Sequence, residues 1–272
     1  MSKVAIVTDS THCLPPELIE EYDIHVGSII LIIDGKSYRD QIDITSEEFF
    51  KVLKEVKELP TTSAVSPGDF EGIFRDLSKS TDSIACITIS AGLSATYEAA
   101  VVAKDAIKKE IPELKVELVD SRSTAGGLGW VVLEAARAAQ SGKNLSEVVA
   151  VAEDMVQRVQ WIGALDTLHY LVKGGRAPKG AGLLGDLLRI KPILGMFRHT
   201  GEVDMGGKQR TMKKAIAFLI EMVKEELAPG KPVHFIVHYS DDIAEGEKLK
   251  ETVMADFNCA ELHMSEFTPV MC

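Results

Sequence analysis

Apolar and polar positions change period repeatedly along the chain, and each change marks a boundary. Residues 3–9 are apolar and β-rich, as a strand buried on both faces requires. Residues 17–22 read as a short helix entered through Pro15-Pro16, and residues 25–33 as a strand that Asp34-Gly35 ends. Helical spacing returns over 46–58, with Ser46 as the expected N-cap and Phe49, Phe50 and Leu53 on one face. A helix over 70–78, a strand over 83–90, a long helix over 94–109, a strand over 115–119 and an Ala-rich helix over 125–141 follow. Strands separated by helices predict a largely parallel sheet covered on both faces. Ligands of such sheets bind beyond the strand carboxyl ends. The segments 9–11, 90–96 and 120–124 fall there.

After a helix over 144–159 the pattern shortens. A strand over 161–165 and a short helix to Val172 lead to the Gly-rich basic loop 173–180. Short strands over 189–194 and 202–204 precede an amphipathic helix over 209–226, and strands over 232–239 and 260–266 flank a helix over 243–254. The expected organisation is α/β in two domains. Residues 1–157 would form a larger three-layer domain on a parallel sheet, and 158–272 a smaller α/β domain. No repeat or low-complexity linker interrupts the chain, and its last residues, 267–272, are apolar.

Composition narrows the function classes. The 272 residues carry 30 basic and 41 acidic side chains, a net charge of −11 that disfavours nucleic acid. The apolar run 26–33 is too short for a membrane span, and Asp9 interrupts the opening segment where a secretion signal stays apolar, so a cytoplasmic location is expected. Cys13, Cys86, Cys259 and Cys272 form no C-x-x-C pair and read as reduced thiols.

The candidate chemistry lies in three hydroxyl-rich loops: 60–67, containing Thr62 and Ser63; 91–97, containing Ser94 and Thr96; and 120–127. Hydroxyls beside free amides at a helix N-terminus make a seat for a carboxylate or phosphate without a cation. The turn after the first strand, Thr8-Asp9-Ser10-Thr11-His12, lacks the glycines of a dinucleotide fold, and no P-loop occurs. Gly126, Gly127 and Gly129 lie within a helical pattern, where close packing explains them. Ser94 has a strand-to-helix setting, but Gly92-Leu93-Ser94-Ala95-Thr96 lacks the last glycine of G-x-S-x-G. A serine acyl hydrolase or acyltransferase would use Ser94 with His238 as base, while a helix N-cap is the simpler role for this serine. His234 and His238 alternate on a strand, which suits core or rim positions better than a metal. Asp9, Asp40, Asp43 and Asp120 are candidates for a magnesium cluster, or for ordinary bonds to local amides. Basic islands at Gly174-Gly175-Arg176 and Lys208-Gln209-Arg210 are either solvated or face an acidic partner.

Taken in order, Thr8-Asp9-Ser10-Thr11, Thr62-Ser63, Leu93-Ser94-Ala95-Thr96-Tyr97, Asp120-Ser121, Leu171-Val172-Lys173-Gly174-Gly175-Arg176 and Lys191-Pro192-Ile193-Leu194 resemble the DegV family over nearly the whole chain. That family includes the FakB-type fatty-acid-binding subunits of bacterial fatty acid kinase. The resemblance implies two α/β domains with one long-chain fatty acid, such as palmitate, stearate or oleate, in a tunnel between them. It implies a monomeric carrier without cofactor or catalytic residues, which presents an acyl carboxylate to a separate kinase; a lipid-sensing regulator is the alternative in the same fold. Thr62 and Ser94 would hold the carboxylate, with Ser63 and the backbone of Leu93, Ala95 and Thr96 completing the cradle. Arg176 and Arg210 would face the partner. The sequence departs from the family at Ala64-Val65, where Gln-Pro is usual, and at Ala95, where glycine is usual. The family also continues past Phe267-Thr268-Pro269 into a His-Thr-Gly-Pro stretch whose histidine touches the carboxylate, and this sequence stops before it.

Overall fold

The computed structural model describes residues 4–56, 58–178, 190–196, 200–228 and 230–271. A four-stranded parallel sheet, in the order β2-β1-β6-β7, is built from β1 (Ala5–Asp9), β2 (Ile24–Gly27), β6 (Ser83–Thr88) and β7 (Lys115–Asp120). Successive side chains on these strands go to opposite faces. Ile6, Ala85 and Ile87 therefore enter one core, with Leu128, Val131 and Leu133 of α5 (Ala125–Gln140) and Val148 and Ala152 of α6 (Leu145–Arg158). Val7, Ile84 and Cys86 enter the other, against Phe70 and Phe74 of α3 (Pro67–Leu77) and Ala100, Ala103 and Ile107 of α4 (Thr96–Glu110). Every residue of β6 is buried, which is what helices on both faces demand.

The strand over 25–33 divides in two. β2 stays in the parallel sheet, while β3 (Ile30–Ile33) pairs antiparallel with β4 (Lys36–Arg39) and β5 (Thr61–Ser63). This small sheet packs Leu31 and Ile33 on Phe49 of α2 (Ser46–Leu53). Thr45, not Ser46, caps α2 in a capping box with Glu48; Ser46 instead donates to the Phe267 carbonyl at 2.9 Å.

Beyond α6 the pairing turns antiparallel: β8 (Trp161–Ala164), β9 (Lys191–Met196) and β10 (Asp204–Gln209) form a sheet in the order β10-β9-β8. Between β8 and β9 lies the short helix α7 (His169–Lys173). β11 (Val233–Tyr239) and β12 (Cys259–Glu266) pair in parallel, and α8 (Met212–Glu226) and α9 (Ile243–Asp256) share their apolar cluster. The architecture is thus mixed α/β, with the expected parallel sheet between helices and, beside it, separate antiparallel sheets. Lys179, Gly180, Arg189 and Cys272 of the sequence reading lie outside the described residues. Cys13, Cys86 and Cys259 are free thiols. No described helix is long and apolar enough to cross a membrane.

Candidate functional site

In the parallel sheet, β1 and β6 are neighbours, but the chain leaves them for opposite faces. α1 (Pro16–Glu21) buries Leu18 in the core of α5 and α6, whereas α4 follows β6 into the core of α3. The carboxyl ends of β1 and β6 therefore flank a topological switch point, where open α/β sheets take their ligands. Asp9 spans it: one carboxylate oxygen accepts from the Ile89 amide at 2.7 Å, the other from the Thr11 amide and hydroxyl. Burial raises the pKa of Asp9, and these bonds oppose the shift.

The loop after β6 carries Ser94. Its organiser is Ser90, which is fully buried. The Ser90 hydroxyl accepts from the Gly92 amide at 3.1 Å, and its carbonyl accepts from the amides of Leu93 and Ser94 at 3.0 and 3.2 Å. Asp120 braces the same loop from β7, accepting from the Ala91 amide at 3.2 Å and the Arg122 amide at 2.9 Å. The half-buried Ser94 shares a 2.9 Å hydroxyl contact with buried Thr96 and accepts from the Thr96 amide at 3.3 Å. Ala95 occupies the cap position of α4 without a side-chain cap, so Ser94 is one residue short of an N-cap. The backbone cradle expected from Leu93 to Thr96 narrows accordingly. The amides of Leu93, Ser94 and Thr96 already have acceptors, and among the described residues Ala95 N has none.

Thr62 and Ser63 lie on β5, exposed, opposite Leu31 and Ile30. Neither hydroxyl bonds to a described residue, so both keep their donors for a ligand, but no hydrogen bond joins them to the Ser94 loop. Arg176 is exposed, yet its guanidinium turns back to donate to the Leu93 carbonyl at 3.4 Å and the Gly174 carbonyl at 2.8 Å. Arg210 is exposed just before α8. A cleft of about 240 Å³ lies at the start of β1, beside Tyr22, Leu77 and Ala139, and one of about 590 Å³ along β2, between α1 and α3; neither touches Thr62 or Ser94.

The other candidates resolve separately. His238 bonds Ser265 and stacks on Phe267 at 4.9 Å, so it is not Ser94's base; no described histidine hydrogen-bonds Ser94. Burial pushes His12, which is buried, and His238, which is half-buried, down to about 4, so both imidazoles are neutral. His234 and His263 instead flank Glu261, which Arg137 grips at 2.5 and 3.0 Å. Asp43 pairs with Arg39, while Asp9 and Asp120 bond local amides, and no described group of three or more His, Cys, Asp or Glu is placed to hold a metal. Asp40 is the group that the residue pattern undervalued: it is buried, faces Ser10, Thr268 and the Val270 amide, and is pushed up to about 7, chiefly by burial. Neither of its oxygens makes a well-formed hydrogen bond. The sequence offered Asp40 only as a metal or amide-binding carboxylate; its burial, just after β4, a strand absent from the apolar pattern, did not show there.

Comparison with known proteins decides the family. The family described as "Uncharacterised protein, DegV family" matches residues 3–272. The chain belongs to the DegV family. It is 41% identical over 224 residues to a DegV domain-containing protein of Caldanaerobacter subterraneus, covering 82% of this chain and 78% of that one. A Thermus thermophilus DegV protein, described for its fatty acid binding, superposes with a TM-score of 0.89 at 29% identity, covering 100% of this chain and 94% of that one. DegV of Bacillus subtilis, described as a fatty acid binding protein, gives 0.87 at 28% identity, covering 99% and 94%.

Proposed function

We propose that this DegV protein carries one long-chain fatty acid in a tunnel between an N-terminal unit, residues 1–157, and a C-terminal unit, residues 158–272. It presents the carboxylate to a separate fatty acid kinase. The observation that carries the reading is the Ser94 loop: a hydroxyl pair at the switch point, beside an unengaged Ala95 amide and without a histidine base. That arrangement suits holding an anion better than cleaving a bond. The fatty acid binding described for the Thermus and Bacillus relatives supports the ligand class.

The energetics agree. A tail of about fourteen methylenes contributes roughly 11 kcal/mol gross on burial, at about 0.8 kcal/mol each. Each hydroxyl contact adds only about 1–2 kcal/mol. The tail sets affinity, and Thr62, Ser94 and Ser63 set the orientation of the head. Neutral hydroxyls also leave a carboxylate oxygen nucleophilic enough to attack the γ-phosphate of ATP on the partner, giving acyl phosphate and ADP. Arg176 and Arg210 lie on the face that meets that partner. The carrier works as a cytoplasmic monomer. The test is acyl-phosphate formation with a purified fatty acid kinase subunit, ATP and oleate. Loss of product with Thr62→Ala and Ser94→Ala is expected, and full activity of both variants would refute the assignment.

A further inference from the structure

The Ser94 loop is fastened on two sides. Toward the parallel sheet, the Ser90 amide donates to the Ser123 carbonyl at 2.9 Å and Asp120 holds Ala91. Toward the antiparallel sheet there are three attachments. The Ser90 hydroxyl donates to the Gly201 carbonyl, 111 residues away, at 2.6 Å. The Leu93 side chain packs into the cluster of Leu168, Leu194, Met196 and Val203, and Arg176 reaches the Leu93 carbonyl. The approach of the 200–203 turn is tight enough to exclude a methyl group from either partner. A Cβ on Gly92 would meet the Gly201 carbonyl oxygen at 2.7 Å, and one on Gly201 would meet the Ser90 hydroxyl oxygen at 2.5 Å. Gly201 also has φ +67°, the left-handed region that favours glycine.

We infer that Ser90 is a positioning residue for the carboxylate site. It pins the 200–203 turn to the Ser94 loop, so that Ser94 is correctly placed only while the antiparallel sheet is seated on the parallel one. One hydroxyl serves both ends, accepting from Gly92 within the loop and donating to Gly201 across the joint. Displacing the turn removes the acceptor that fixes this hydroxyl's rotamer, and the Gly92–Ser94 nest then loses its organiser. Head-group capture and the seating of the antiparallel sheet are therefore one event. The ligand in this inference rests on the fatty-acid reading above; the loop coupling does not.

The experiment compares the parent with Ser90→Ala, Gly201→Ala and the double variant. Amide hydrogen exchange at residues 92–96 is followed without ligand, and release of a fluorescent fatty acid is followed from the loaded protein. Ser90→Ala should speed both by about fivefold, the loss of one ordinary hydrogen bond. Gly201→Ala should exceed it, because its methyl group drives against the Ser90 hydroxyl. In the double variant that excess should shrink to the cost of alanine at the left-handed backbone of Gly201, since the obstructing oxygen is gone, a suppression that two independent effects do not produce. Unchanged exchange in Ser90→Ala, or effects of the two substitutions that simply multiply, would overturn the inference. Should Ser90→Ala fail to fold, Gly201→Ala alone decides, because its methyl group strikes the Ser90 hydroxyl: faster exchange at 92–96 supports the coupling, and unchanged exchange overturns it. A parent that binds no fatty acid would remove the ligand reading alone, because the exchange data still decide the loop.

Discussion

Asp40 gives the chain a pH dependence that one substitution isolates. Its carboxyl is buried and titrates at about 7 in the folded chain against 3.8 for an ordinary aspartate, a gap of about three pH units. At about 1.4 kcal/mol per pH unit, the gap corresponds to roughly 4 kcal/mol. The sign follows from which state gives up its proton first. The unfolded chain ionises near 4, while the folded chain keeps the proton to about 7, so stability falls as pH rises across that window and the full cost is present above it. His12 and His238 act oppositely. Both are held to about 4 against 6.5 when unfolded, so their contribution is present above 6.5 and fades as pH falls toward 4. The parent's own profile is therefore partly cancelled, and the difference between parent and Asp40→Asn is the informative quantity. Asparagine keeps the shape, and Ser10, Thr268 and the Val270 amide remain as its neighbours. Urea midpoints measured from about pH 4 to about pH 8 should coincide at the acid end and diverge upward, with the variant more stable by up to roughly 4 kcal/mol at the alkaline end. Parallel profiles across the range would refute the claim that Asp40 is held neutral by burial.

Other outcomes follow from the packing and the site. Gly126→Ala would place a methyl group 2.6 Å from His238 Nε2 and 3.1 Å from the Ile236 Cβ, and should lower stability by about 1–3 kcal/mol in thermal denaturation. Phe74→Ala empties a fully buried position in the core of α3 and α4 and should cost about 3–5 kcal/mol by the same assay. Ser94→Ala should weaken oleate binding by about five- to thirtyfold in calorimetry, one hydroxyl contact, while leaving binding of methyl oleate, which has no carboxylate, little changed.

The parts of the fold that read clearly from the chain are those whose side chains obey one environment. β1 and β6 stand between two helical layers, so their apolar runs announce them, and α6 carries its own capping box at Asn144 and Glu147. The run 25–33 misleads because it stays apolar across a change of sheet. The break is made by partners distant in sequence: the Ser10 hydroxyl takes the Ile29 amide at 3.2 Å, and Ser28 reaches the Asp40 carbonyl. β4 and β5 are polar, Lys-Ser-Tyr-Arg and Thr-Thr-Ser, and owe their existence to the two edges of β3. The hydroxyls of Ser94 and Thr96 were legible because they crowd one strand-to-helix loop. The role of Ser90 was not, because it depends on Gly201, and the burial of Asp40 was not, because it is completed by Thr268 and Val270.

Native mass spectrometry of the purified protein, followed by denaturing extraction of whatever it carries, decides whether this chain holds a fatty acid. A long-chain fatty acid at near one per chain is expected, and its mass gives its length and unsaturation. A protein that comes empty and takes up neither added palmitate nor oleate would contradict the fatty-acid reading.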